Sequence, residues 1–178
     1  MAYYFSPFRR IYSKPADRSA DVHICPFCNT DNIHKQAVRN RQGDLIENDH
    51  YIWLVNFFPK FEGHTMIVPK RHLLNLEDET TEETLARQKI LLLATNILEK
   101  LYPGAGMEIF IQYGPGSEQT VAHLHWHVVP AQSGDPLRGF EKMGHFYTDE
   151  AGKEKHIIFP IAIEKAKEEL QAALSKLM

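Results

Sequence analysis

Short apolar runs bounded by turn residues fill much of this chain, and one long stretch of helical period interrupts them. "HYIWLVNF" (His50 to Phe57) is a β-branched and aromatic run of strand length, "PKFEG" is a turn, and "HTMIVPKRH" (His64 to His72) reads as a second strand. Upstream, Gly43-Asp44 and Asn48-Asp49 mark turns, leaving "AVRNR" and "LIE" as short strands of a hairpin. The segment after His72 predicts a helix. Thr80 and Glu83 have capping-box spacing, and an apolar face of Ala86, Ile90, Leu93, Ile97, Leu98 and Leu101 alternates with Leu85, Gln88, Lys89, Leu92, Asn96 and Lys100. Pro103 and Gly104 stop it. "MEIFIQYG" and "HLHWHVVP" are two further strands joined by "GPGSEQTVA". Beyond Pro130 come a Gly- and Pro-bearing loop, a hairpin in "GHFYTDEAGKEKHIIFP" and a terminal helix from about Ile161. The first 24 residues, rich in aromatics, prolines and arginines, show no period and read as an arm.

With 178 residues, 43% of them apolar and 24% charged, the chain suits one soluble domain with decorations. A net charge of -3 lacks the basic footprint that long nucleic acids require, so any nucleotide handled is expected to be small. No apolar run approaches the roughly 18 residues of a membrane span, and "MAYYFSPFRRIYSKPADRS" lacks the pattern of a secretory leader. A cytoplasmic protein is expected. Its two cysteines, Cys25 and Cys28, sit in "CPFC", a spacing that in a reducing compartment reads as metal or redox chemistry. The thioredoxin-like redox reading also wants a βαβ context, which is missing.

"TVAHLHWHVVP" (Thr120 to Pro130) carries the sharpest signal. In a strand, His123, His125 and His127 share one face while Leu124, Trp126 and Val128 face the core. Two chemistries fit three neighbouring imidazoles: a catalytic zinc bound by all three, or a histidine nucleophile toward phosphorus positioned by its neighbours. The "CPFC" knuckle needs two more ligands to close a tetrahedral site, and His64, His72 and His123, at strand ends, are the candidates.

"HLHWHVV" resembles the signature of the histidine triad (HIT) superfamily. "NFFPKFEGHTMIVPKRH" is similar to the family's upstream segment, and "QYGPGSEQTVAHLHWHVVPAQSGD" is similar to its fragile-histidine-triad branch, which hydrolyses dinucleoside polyphosphates. The resemblance runs from about Cys25 to Pro130. It implies an α+β, HIT-like fold: an antiparallel β-sheet with a long helix and a C-terminal helix, commonly as a homodimer. It divides the chain into an arm (1–24), a HIT domain with structural zinc (25–133) and an extension packed on the same domain (134–178). His125 would be the nucleophile that forms a nucleotidyl-histidine. His127 and Gln119 would contact phosphate or bridging oxygens, His64 would order the site, and Thr120, Asn56 and Gln112 would bind substrate. Zinc-containing members imply Cys25, Cys28, His72 and His123 as the ligands of a structural Zn2+. Two residues depart from the pattern: Glu118 stands where many members have glycine, and Gln112 stands where the phosphoramidase branch has asparagine. The expected substrate is a nucleoside phosphate, with dinucleoside polyphosphate favoured and water or phosphate as acceptor. The competing expectations are a zinc-dependent hydrolase with a triad-bound metal and a nucleotide-binding protein without turnover.

Overall fold

The computed structural model describes residues 25–56, 62–114, 117, 119–131 and 163–177. The expected arm, the late hairpin with His145 and His156, and Glu118 lie outside them. Four strands, β1 (Tyr51–Val55), β2 (Thr65–Pro69), β3 (Gly106–Ile111) and β4 (Trp126–Ala131), form an antiparallel sheet in the order β1-β2-β4-β3. Among the described residues three α-helices accompany it: α1 (Thr30–Gln36), α2 (Thr81–Leu101) and α3 (Ile163–Leu177). No described helix is long and apolar enough to cross a membrane.

β1 and β2 are buried at every position, which explains their unbroken apolar runs: side chains on both faces need cover. On one face Tyr51, Trp53, Ile67, Trp126 and Val128 pack with Ile90, Ala94 and Leu98 of α2 and with Leu170 and Leu174 of α3. On the other, Ile52, Leu54, Met66 and Val68 pack with Cys25 and Phe27 of the cysteine knuckle. The register pairs Met66 with His127 and His127 with Phe110, so these three belong to the knuckle's face. Gly63, at φ +72°, permits the turn into β2; a Cβ there would meet the Tyr102 ring at 2.7 Å and Pro130 at 2.8 Å.

Several elements differ from the sequence reading. "AVRNR" and "LIE" make isolated bridges, Arg39 to Leu45, Ala37 to Leu54 and Glu47 to Ile52, in place of continuous strands. Asn40 draws the chain into a tight turn there, its side-chain oxygen accepting from the Gln42 and Asp44 amides. Regular pairing of β4 begins at Trp126, leaving His123 and His125 just before it. On α2, Leu93 is 43% exposed, whereas Leu91 and Ala94 are buried. The expected face holds at Ile90, Ile97 and Leu98, with Ala86 and Leu101 packed beside them, and differs in taking in Leu91 and Ala94 in place of Leu93.

Two ion pairs fix α2, one largely buried between Arg87 and Glu79 and one between the half-exposed Arg71 and the buried Glu83. Arg87 lies 4.6 Å over the Trp126 ring and bonds Glu79 at 2.8 and 3.1 Å, and Glu79 also accepts from the Tyr51 hydroxyl. Burial, then the bond to Glu79, pushes the Tyr51 phenol above its ordinary range. At the helix start Thr80 and Glu83 form the expected capping box, and Arg71 grips the Glu83 carboxylate at 2.9 and 2.8 Å. α3 is tied to the chain before β1 by polar contacts: Gln171 Nε2 donates to the Arg39 carbonyl, and the Arg41 guanidinium donates to the carbonyls of Ser175 and Lys176.

Arg71, aided by the Thr80 amide and hydroxyl against the opposing effect of burial, holds the Glu83 carboxyl at about 2, below its ordinary 4.5. A folded value below the unfolded one gives stability that is complete above pH 4.5 and fades as pH falls toward 2. Glu83→Ala is therefore expected to cost about 1–3 kcal/mol at pH 7 in urea unfolding. The gap from the parent should narrow steadily below pH 4.5; a pH-independent gap would contradict this ion pair.

Candidate active site and metal cluster

The "CPFC" segment is a turn closed by the Cys28 amide donating to the Cys25 carbonyl at 3.1 Å, and Asn29 then caps α1 by accepting from the Asn32 amide. The turn sets both sulfurs toward two histidines that arrive from distant parts of the chain. His72 follows β2 and His123 precedes β4. Cys25 Sγ lies 3.4 Å from His123 Nδ1, and Cys28 Sγ lies 3.0 Å from His72 Nδ1 and 3.6 Å from His123 Nδ1. All four ligand atoms fall within 4.8 Å of one another. Ligands around a tetrahedral ion with ordinary Zn–S and Zn–N bonds stand about 3.5 Å apart, so the cluster has the dimensions of such a site.

The tautomer of His123 agrees with that use. Its Nε2 lies 2.9 Å from the Pro69 carbonyl, which can only accept, so Nε2 carries the hydrogen and Nδ1 offers a lone pair to the cluster. Burial, chiefly, lowers the His123 imidazole to about 4 and keeps it neutral. Burial and the adjacent Cys25 push the Cys28 thiol up to about 12. The Cys28 sulfur enclosed in this way favours its neutral form until a divalent cation supplies the opposing charge. A cleft of about 450 Å3 beside the cluster is lined by Cys28 and His72 among others, giving that side of it access to solvent.

His64, the third candidate for that cluster, lies elsewhere. Its Nε2 is 2.8 Å from His127 Nδ1 and 3.0 Å from the Asn56 side-chain nitrogen. The Asn56 amide nitrogen can only donate, so His64 Nε2 is an acceptor and the hydrogen between the two imidazoles sits on His127 Nδ1. Phe110 stacks on His127 with ring centres 4.7 Å apart.

His125 stands between these two assemblies. All three histidines of the triplet are buried, and each is differently engaged. His125 Nδ1 lies 2.7 Å from the His123 carbonyl, so Nδ1 carries the hydrogen and Nε2 holds the lone pair. Burial lowers the His125 pKa below its ordinary value, favouring the neutral ring. The His125 and His127 rings meet edge to face at 4.9 Å. Among the described residues neither belongs to a ligand cluster, so the triplet does not gather around a single ion.

The loop before the triplet supplies polar groups. Gln119 Oε1 accepts from the Gly114 amide at 3.2 Å, while its Nε2 is buried without a partner among the described residues. Ser117 braces the loop, its hydroxyl donating to the Gly114 carbonyl and accepting from the Gln119 amide. Gln112 and Thr120 are half-buried at the two ends of this loop. Asn56 closes β1, its amide donating to the His64 carbonyl. Sequence reasoning did not single out Phe27 and Phe110, the rings against His125 and His127. For Phe27 a signal existed in its place between the two thiols; Phe110 is revealed only by the β3–β4 register.

The profile of the HIT domain family matches residues 39–134. The chain belongs to the HIT domain family. An HIT-like protein of Mycoplasma pneumoniae is 35% identical over 86 residues, covering 47% of this chain and 58% of that protein. The chain thus spans less than two thirds of that relative. A bis(5'-adenosyl)-triphosphatase of Dictyostelium discoideum is 33% identical over 122 residues, covering 66% of this chain and 76% of the enzyme. In structure, a Zn-bound histidine triad family protein of Mycobacterium smegmatis superposes with a TM-score of 0.53 at 24% identity, covering 88% of this chain and 97% of that one. That likeness concerns the fold, which is the α+β arrangement of HIT proteins.

In this HIT chain the ring nitrogens of His125 should read in NMR as the neutral Nδ1–H form at pH 7, protonating only below the ordinary 6.5. An Nε2–H tautomer, or an imidazolium at pH 6.5, would contradict the bond to the His123 carbonyl.

Proposed function

We propose that this HIT protein is a nucleotide hydrolase that cleaves dinucleoside polyphosphates at the α-phosphorus through a nucleotidyl-His125 intermediate. The observation that carries the reading is the buried hydrogen bond from His125 Nδ1 to the His123 carbonyl, which leaves Nε2 neutral and nucleophilic. The Dictyostelium relative, a bis(5'-adenosyl)-triphosphatase, supports the substrate class.

In the first step the Nε2 lone pair forms an N–P bond as the bond from phosphorus to the bridging oxygen breaks, and the leaving nucleotide departs with that electron pair. The Nε2–H of Gln119, without a partner among the described residues, supplies a donor to phosphoryl or bridging oxygens, and His127, whose Nδ1–H is held by His64, contacts them through Nε2, donating when that nitrogen carries a proton. In the second step water attacks phosphorus, the N–P bond breaks, and its electrons return to His125. Asn56, Gln112 and Thr120 form the substrate contacts. Cys25, Cys28, His72 and His123 would hold a structural zinc ion, and with four protein ligands it would serve to bind the knuckle to the sheet. The proposed organisation is a HIT domain over 25–133, flanked by an arm and a C-terminal extension, in a cytoplasmic homodimer.

The test is product analysis on diadenosine triphosphate, with and without inorganic phosphate. Wild-type protein should release AMP and ADP, and His125→Ala should lose turnover on the order of 10^4-fold while keeping its metal. ADP as the sole nucleotide product in phosphate would mark a phosphorylase. Bound nucleotide with no turnover in the wild type would replace the hydrolase reading with that of a binding protein. One zinc per chain is expected by elemental analysis, lost in Cys28→Ser together with a fall in Tm.

A further inference from the structure

The hydrogen bond from His125 to the His123 carbonyl fixes one ring nitrogen and leaves the ring free to swing about that line. Nucleophilic attack needs the other nitrogen held in direction as well as in protonation state. Packing has to set the plane. Among the described residues two rings touch His125: His127 at 4.9 Å and 76°, and Phe27 at 5.1 Å and 57°. Phe27 also meets the edge of His123 at 5.6 Å and 83°, and it is itself buried.

Phe27 occupies a particular place in the chain. It lies in the four-residue turn whose ends are Cys25 and Cys28, and that turn is held by the four-ligand cluster. A ring so placed takes its position from the two sulfurs. His123 belongs to the same cluster and supplies the carbonyl that accepts from His125. The knuckle thus reaches His125 twice, through the carbonyl of His123 and through the ring of Phe27.

We infer that Phe27 is a positioning residue for the nucleophile: it sets the plane of the His125 imidazole and couples an ordered knuckle to the rate of phosphoryl attack. The inference rests on the hydrolase reading for its rate, but the contact on which it stands is independent of substrate. Phe27 touches no reacting atom. Its loss is expressed in the fraction of His125 rings that point correctly, hence in kcat rather than in substrate binding.

The experiment compares Phe27→Leu, which keeps apolar volume without a ring, with Phe27→Tyr, which keeps the ring, both in the metal-loaded full-length protein. Phe27→Leu is expected to lower kcat by about 10- to 100-fold with KM moved less than about threefold, and Phe27→Tyr to return kcat to near the parent value. Metal content should match the wild type in both. The His125 ring protons should shift in NMR spectra of Phe27→Leu and stay in place in Phe27→Tyr, because an aromatic neighbour at this distance shields them. Unchanged kcat and unchanged ring signals in Phe27→Leu would overturn the proposal. A loss of rate that tracks a loss of bound metal would also overturn it, assigning Phe27 to the folding of the knuckle. Should the wild-type protein turn over no dinucleoside polyphosphate, the hydrolase reading falls, and the His125 ring signals alone decide the role of Phe27.

Discussion

His123 is the point through which the rest of the site is specified. It is fully buried, its Nε2 donates to the Pro69 carbonyl, its Nδ1 faces two sulfurs, and its own carbonyl accepts from His125. One side chain and one carbonyl thereby connect the end of β2, the cysteine knuckle and the approach to β4. Each of these bonds constrains the next: the Pro69 carbonyl sets the tautomer of His123, and the His123 carbonyl sets the tautomer of His125. A substitution at His123 would disturb chemistry and folding together, which makes it a poor probe of either.

The sheet gives this chain of bonds a rigid backing. Trp126, between His125 and His127 in sequence, points to the opposite face and lies under Arg87, which is itself held by Glu79. The helix side of the sheet therefore carries an oriented, buried ion pair directly behind the histidines, while the knuckle side carries the polar work. A buried pair of this kind contributes less to net stability than to the uniqueness of the arrangement, since leaving either partner alone would cost several kcal/mol. The alternation of strand side chains turns one short segment into a wall with apolar packing on one side and imidazoles on the other.

Burial also accounts for the electrostatic character of the site. Desolvation holds His123 and His125 neutral and the Cys28 thiol protonated, so the enclosed face carries little charge of its own. Neutral imidazoles are the state in which nitrogen attacks phosphorus or binds a metal. A site that had to shed a proton first would lose rate at neutral pH. The same enclosure leaves Gln119 Nε2 without a partner among the described residues, a cost of burial that a hydrogen-bond acceptor would relieve.

The sequence by itself determined what depends on short-range pattern. The apolar runs of β1 and β2, the capping box at Thr80 and Glu83, the stop at Pro103-Gly104 and the spacing of His123, His125 and His127 are each readable because alternation and capping act over two to four residues. The family signature in that spacing added an expectation for the ligand set and for the role of the middle histidine. Tertiary structure decided what depends on elements far apart in the chain. That Leu91 and Ala94, and not Leu93, are buried depends on how α2 lies against the sheet and α3, where Arg87 packs over Trp126. That His64 joins His127 and not the cysteines follows from the β2–β4 register, which sets Thr65 opposite Val128 and Met66 opposite His127. That Phe27 touches His125 follows from 98 residues of chain closing on themselves between Cys25 and His123. Local pattern fixes which side chains share a face; only the packed core fixes which faces meet, because contacts across such separations depend on every element between them.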